Sequence, residues 1–320
     1  MIYFLLVVGF VLLIKGADIL VKGSSSIAAR FGISEIIIGL TIVSIGTSMP
    51  ELIVNIMASV RGSSEMAIGN VLGSNIANLL LILGLTAIVR TLPVSRNTVI
   101  AEIPFSIAAI LLIGFLANAN LWGANDTIIG LSRIDGALIM FFFFVFFVYI
   151  FMMAVSEKSL IPTEEIETSL PVWKSMTFII LGVIMLFLGG KWVVEGAIEL
   201  SRLLGMSETF ISLTVVAVGT SLPELVTSIT AARRGRVDLA VGNVVGSNIF
   251  NALWILGISS TIKDIPFNII ANTDLMIVVF ATLLVLILMI ISRKLEVKRF
   301  HGVVLFMSYI IYNIYIFIRG

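Results

Sequence analysis

Long apolar segments broken by short charged or turn-rich stretches dominate this chain. A membrane span needs about 20 mainly apolar residues to cross about 30 Å of hydrocarbon. The breaks place spans near 2–28, 34–60, 65–88, 97–117, 134–155, 174–201, 208–232, 238–261, 272–292 and 303–318. Ten helices are therefore expected in an all-α polytopic membrane protein. The first span has no basic flank before it and runs straight into a repeated unit, so we read it as a span and not as a cleaved signal.

Composition agrees with that pattern. Of 320 residues, 59% are hydrophobic and 12% charged, with mean hydropathy +1.16. A net charge of +1 argues against nucleic-acid binding, and the absence of cysteine removes disulfides, thiolate metal sites and thiol nucleophiles. The single histidine, His301, leaves no zinc cluster and no Ser-His-Asp triad. No resident cofactor is expected, and the residues identify no protein partner. The lipid bilayer is the expected environment.

Lys and Arg are distributed unevenly between the loops. With the N-terminus outside, the inner loops collect Arg90, Arg96, Lys158, Arg233, Arg234, Arg236, Arg293 and several others, while the outer loops hold only Arg61, Arg133, Arg202, Lys263 and Arg319. The positive-inside bias then puts both termini on the extracellular side of the plasma membrane. Residues 157–173 become a short cytoplasmic linker.

The chain also repeats itself. Residues 39–78, GLTIVSIGTSMPELIVNIMASVRGSSEMAIGNVLGSNIAN, align without a gap on 212–251, SLTVVAVGTSLPELVTSITAARRGRVDLAVGNVVGSNIFN, at a constant offset of 173. The offset extends back through Gly9 with Gly182, Gly16 with Gly189 and Gly23 with Gly196. We divide the chain into a first five-helix repeat (1–156), the linker (157–173) and a second five-helix repeat (174–320). An odd number of spans per repeat inverts the second copy in the membrane, an arrangement in which ligand sites lie near the midplane between the copies.

Glu51 is the only charge between Glu35 and Arg61, and Glu224 the only one between Glu208 and Arg233. An ionised carboxylate at mid-membrane costs at least about 2.5 kcal/mol and must face a partner, water or a cation. Pro50 and Pro223 each precede the glutamate and leave the carbonyl four residues earlier, at Gly46 or Gly219, without its N–H partner. Thr47 and Thr220 lie one turn before the glutamates on the same face. Carboxylate, hydroxyl and freed carbonyl oxygens suit Ca²⁺ or Na⁺ and suit copper or zinc poorly. In the third helix of each copy, Asn70, Ser74 and Asn78 form one polar stripe, as do Asn243, Ser247 and Asn251. We assign Ser74, Asn78, Ser247 and Asn251 to a cation site. For Asn70, Asn75, Asn243 and Asn248, interhelical hydrogen bonding and ligation both stay open. Asp18, Glu102, Lys191 and Glu195 are expected at the interface, and the FFFFVFF run at 141–147 is expected to face lipid or pack.

GTSMPEL with GNVLGSN, and GTSLPEL with GNVVGSNIF, resemble the two alpha repeats of the sodium/calcium exchangers, within the calcium/cation antiporter superfamily. The proton/calcium branch typically has His after the acid, whereas Leu52 and Leu225 follow here. The resemblance implies a diamond of four cation sites. Glu51, Glu224, Thr47 and Thr220 would bind Ca²⁺, and the glutamates would serve Na⁺ with Ser74, Ser247, Asn78 and the backbone carbonyls of Ser44 and Ala217. Ser48 and Ser221 would support the edges. It also implies that the first and sixth helices slide across the rest to alternate access. Many members carry an acid where this chain has Asn251, so two carboxylates balance one Ca²⁺ or two Na⁺, and a proton could replace a third Na⁺.

The expected activity is antiport of Ca²⁺ against Na⁺, with H⁺- or K⁺-coupled antiport as the alternative; a passive cation channel and an intramembrane acid–base enzyme are the rival classes, the enzyme being disfavoured by the symmetric duplication. Protons compete for the same carboxylates, so calcium flux in sealed vesicles is expected to fall between about pH 8 and pH 5.

Overall fold

The structure is a computed structural model, and it describes residues 2–61, 65–119, 129–156, 170–205, 217–292 and 294–319. Helix follows helix: α1 (Ile2–Phe31), α2 (Glu35–Thr47), α3 (Met49–Arg61), α4 (Ala67–Val89), α5 (Thr98–Asn118), α6 (Arg133–Ser156), α7 (Val172–Leu203), α8 (Ala217–Thr220), α9 (Leu222–Arg233), α10 (Val237–Ile262), α11 (Ala271–Ile291) and α12 (Arg299–Arg319). Eight of these are individually long and apolar enough to cross a membrane. The pair α2 and α3, bent by 49°, makes a ninth candidate. The span expected at 208–232 begins outside the described residues, and its described part is α8 with α9. Most of the linker, 157–169, and residues 212–216 of the second motif also lie outside them.

Helices α1 and α7 have 30 and 32 residues. At 1.5 Å per residue both exceed the hydrocarbon thickness, an excess that tilting absorbs. They cross antiparallel, because small residues let the backbones meet. A Cβ at Gly16 would stand 3.0 Å from the Gly182 carbonyl oxygen, and one at Gly9 would stand 2.9 Å from that of Gly189.

The most enclosed helices are α4 and α10, with 83% and 94% of their spanning windows buried, whereas α6 and α12 are mostly exposed as lipid-facing helices must be. Phe146 of the aromatic run packs inward, while Phe141, Phe144 and Phe147 are exposed. Two short antiparallel ladders pin loops from the two halves together. β1 (Leu92–Pro93) pairs with β4 (Glu296–Val297), and β2 (Gly130–Leu131) pairs with β3 (Ile265–Pro266).

One of the expected interfacial charges sits elsewhere. Glu102 is fully buried on α5, where the Tyr149 hydroxyl donates to its Oε1 at 2.6 Å. A buried carboxylate is held by a donor and not by snorkelling, which is a long-chain option that the shorter Glu102 side chain lacks. Asp18 is ion-paired with Arg234, just past the end of α9. Lys191 and Glu195 are about half exposed and pair with one another at 3.9 Å.

Candidate cation site

The two motif helices break at the same place. Ser48, between α2 and α3, has φ −85° and ψ 10°, and Ser221, between α8 and α9, has φ −87° and ψ 7°. Each break comes two residues before a proline that has no N–H to give, so the helix restarts with the glutamate in its first turn. The restarted N-termini place partial positive charge beside Glu51 and Glu224. Both carboxylates are only 1% exposed.

The glutamates are held by the opposite copy. The Ser48 hydroxyl donates to Glu224 Oε1 at 2.8 Å and lies 3.0 Å from Ser247 Oγ. Ser48 has one proton, so the carboxylate and Ser247 compete for it and the charged acceptor is the stronger. Thr220 and Ser221 stand beside the Glu51 carboxylate, which also lies within range of the charge on Glu224. Thr47 donates to Asn243 Oδ1 at 3.1 Å, and Asn243 gives its amide hydrogens to Ser228 Oγ at 3.0 Å and the Glu224 carbonyl at 3.4 Å. That fixes the orientation of the Asn243 amide and leaves Thr47 with its lone pairs free for other use.

The amides one layer away cross between the halves. Asn78 Nδ2 donates to Asn248 Oδ1 at 2.9 Å, and Asn251 Nδ2 donates to Asn75 Oδ1 at 3.1 Å. At the offset of 173 these two bonds are images of each other. Asn75 Nδ2 also donates to the Asn248 carbonyl at 3.2 Å. Asn78 and Asn251 therefore spend a donor on the partner helix and keep their oxygens.

Several buried oxygens have no hydrogen-bond partner among the described residues: Glu51 Oε2, Glu224 Oε2, Thr220 Oγ1, Ser221 Oγ, Asn78 Oδ1 and Asn251 Oδ1. Leaving a buried acceptor unpaired costs about 1–3 kcal/mol, and more for a charged one. Isolated hydroxyls such as Ser24 and Ser259 are unpaired too. Amide nitrogens of Asn70 and Asn248 are unpaired as well, but most orphans in this region are oxygens, two matched pairs of them (Glu51 with Glu224, Asn78 with Asn251) recur in both copies, and they sit on helices that pack together. That is the donor set a hard cation requires.

Of the remaining expected ligands, Ser74 is buried on α4. The Ser44 carbonyl already accepts from Ser48 N at 3.0 Å and lies 3.3 Å from Thr47 Oγ1, an alternative acceptor for the one Thr47 proton. Ala217 is the first residue of α8. Two features escaped sequence reasoning. Asn78 and Asn251 lie in matched π-helical segments, Ala77–Ile82 and Phe250–Ile255, where the wider turn shifts the register of the following side chains. Asn75, Asn243 and Asn248 act as orienting residues, a role that the Asn periodicity left undivided from ligation.

A many-span helical protein with two buried acids at two matched helix breaks, ringed by unpaired oxygens, has the build of a membrane cation transporter. Residues 1–153 and 174–318 match the sodium/calcium exchanger protein family, and the chain belongs to that family. It is 34% identical over 349 aligned positions to the sodium/calcium exchanger MaX1 of Methanosarcina acetivorans, covering 98% of each. It is 38% identical to the putative antiporter CaxA of Alkalimonas amylolytica, covering 97% of each. Among solved structures, it superposes on the sodium-calcium exchanger NCX_Mj soaked with 10 mM Na⁺ and no Ca²⁺, with a TM-score of 0.80, 30% identity and coverage of 97% and 98%.

Proposed function

We propose that this chain is a secondary active antiporter that exchanges Ca²⁺ for Na⁺ across the plasma membrane by alternating access. Its ten spans form two inverted five-helix repeats, 1–156 and 174–320, joined by a cytoplasmic linker, with both termini extracellular. The antiparallel crossing of α1 and α7 and the image-related amide bonds support that arrangement.

The observation that carries the reading is the set of unpaired buried oxygens gathered on duplicated helices around Glu51 and Glu224. In this reading the two glutamates, with Thr47 and Thr220, take Ca²⁺. The same glutamates with Ser74, Ser247, Asn78, Asn251 and the backbone carbonyls of Ser44 and Ala217 take Na⁺, and Ser48 and Ser221 hold the edges. The same oxygens cannot serve both cargoes at once, so Ca²⁺ and Na⁺ displace one another. An empty site keeps two buried negative charges, and that cost blocks the return step without a cation. Exchange is obligatory for that reason.

The test is calcium uptake into proteoliposomes under an imposed Na⁺, K⁺ or H⁺ gradient. Uptake driven by outward Na⁺ alone is the expected result. A second reading, H⁺- or K⁺-coupled antiport, is favoured by the neutral Asn251, and uptake that follows the K⁺ or H⁺ gradient instead would establish it. Flux that needs no counter-ion would overturn both in favour of a channel.

A further inference from the structure

Lys191 and Glu195 stand one turn apart on α7, and they are the charged residues lining a crevice of about 340 Å³ between α7 and α3. The crevice runs inward past Met57 and Val54 to Thr220 and to the two prolines at the helix breaks, Pro50 and Pro223. Its remaining walls are mainly apolar and the two charged side chains are about half exposed, so their field reaches anything passing beneath them and is open to screening by salt.

The other half shows what this pair replaces. At the offset of 173, Lys191 corresponds to Asp18 and Glu195 to Lys22, with both signs exchanged. On α1, Asp18 is ion-paired with Arg234, and α1 packs directly along α9. The position equivalent to Arg234 is Arg61, of the same sign as Lys191, so the closing pair of one half has no counterpart in the other. There α7 stands away from α3 and the crevice is open.

We infer that Lys191 and Glu195 form a charge filter on the cation route between one membrane face and Thr220. The inference rests on the antiport reading. Glu195 concentrates cations in the crevice, and the Lys191 ammonium opposes them in proportion to their charge. Coulomb energy is linear in ion charge, so whatever factor either residue contributes for Na⁺ enters squared for Ca²⁺. The filter therefore sets how strongly the route favours the divalent over the monovalent ion.

The test compares the full chain with Lys191→Gln, Glu195→Gln and the double variant in sealed right-side-out and inside-out vesicles, reading the half-saturating Ca²⁺ and Na⁺ concentrations. Lys191→Gln is expected to lower the Na⁺ value about threefold and the Ca²⁺ value about tenfold, the scale of field focusing in a narrow cleft. Glu195→Gln is expected to raise both in the same unequal proportion, and the double variant to fall between. The shifts should be confined to cations presented at the outer face and should shrink when choline chloride raises the ionic strength. Equal shifts for the two ions, shifts at both faces, insensitivity to ionic strength, or no shift would each overturn the filter. If the unmodified chain exchanges Na⁺ for Ca²⁺ while the variants match it, the filter alone fails. If the unmodified chain shows no such exchange, the antiport reading fails and the filter falls with it.

Discussion

Glu51→Gln and Glu224→Gln are each expected to reduce Na⁺-dependent calcium flux to background in proteoliposomes. The amide keeps the size of the side chain and removes one of two charges that balance Ca²⁺. Leaving a buried ion with half of its counter-charge costs about 3–5 kcal/mol, which is roughly 10²- to 10⁴-fold in affinity. Both substitutions should act alike, because the carboxylates lie at matched breaks and each stands beside hydroxyl residues of the opposite copy. Calorimetric titration with Ca²⁺ separates a binding defect from a folding defect, since each variant should still purify as a monodisperse protein. Normal transport by either one would remove the assigned site.

The second large effect concerns charge balance. Two carboxylates neutralise one Ca²⁺ or two Na⁺, so the unmodified exchange is expected to be electroneutral and insensitive to a potential set with K⁺ and valinomycin. Asn251→Asp turns a side chain whose oxygen already lacks a partner into a third carboxylate. It should admit a third Na⁺ and make the exchange electrogenic, with each net charge moved worth about 2.3 kcal/mol per 100 mV. The variant also forfeits the donation from Asn251 Nδ2 to Asn75 Oδ1, so a stability loss of about 1–3 kcal/mol should accompany the gain of voltage dependence. Voltage-dependent flux in the unmodified chain would show that two carboxylates are not the whole charge inventory.

Much of this arrangement was legible in the residues. The proline before each glutamate announced the breaks at Ser48 and Ser221, since a missing N–H is a property of the residue itself. The mid-span position of Glu51 and Glu224 announced burial with a purpose, and the offset of 173 announced that the site is double. What stayed hidden depends on contacts between distant segments. Nothing local distinguishes Asn75 from Asn78, yet one orients and the other presents an oxygen. Glu102 read as interfacial because its partner, Tyr149, is 47 residues away on another helix. The π-helical turns at Ala77–Ile82 and Phe250–Ile255 leave no mark in composition, because the extra residue in the turn is stabilised by packing and not by propensity.

The crossed amide bonds between Asn78 and Asn248 and between Asn251 and Asn75 have a consequence for ancestry. Each copy lends an acceptor that orients an amide of the other, so neither copy sets its own amides alone. On the proposed inverted arrangement, a single five-helix unit could assemble the cation site only by meeting a second unit upside down. Fusing two such units into one chain would have fixed that meeting at one-to-one stoichiometry, and freed Lys191 and Asp18 to take opposite signs on what had been the same helix.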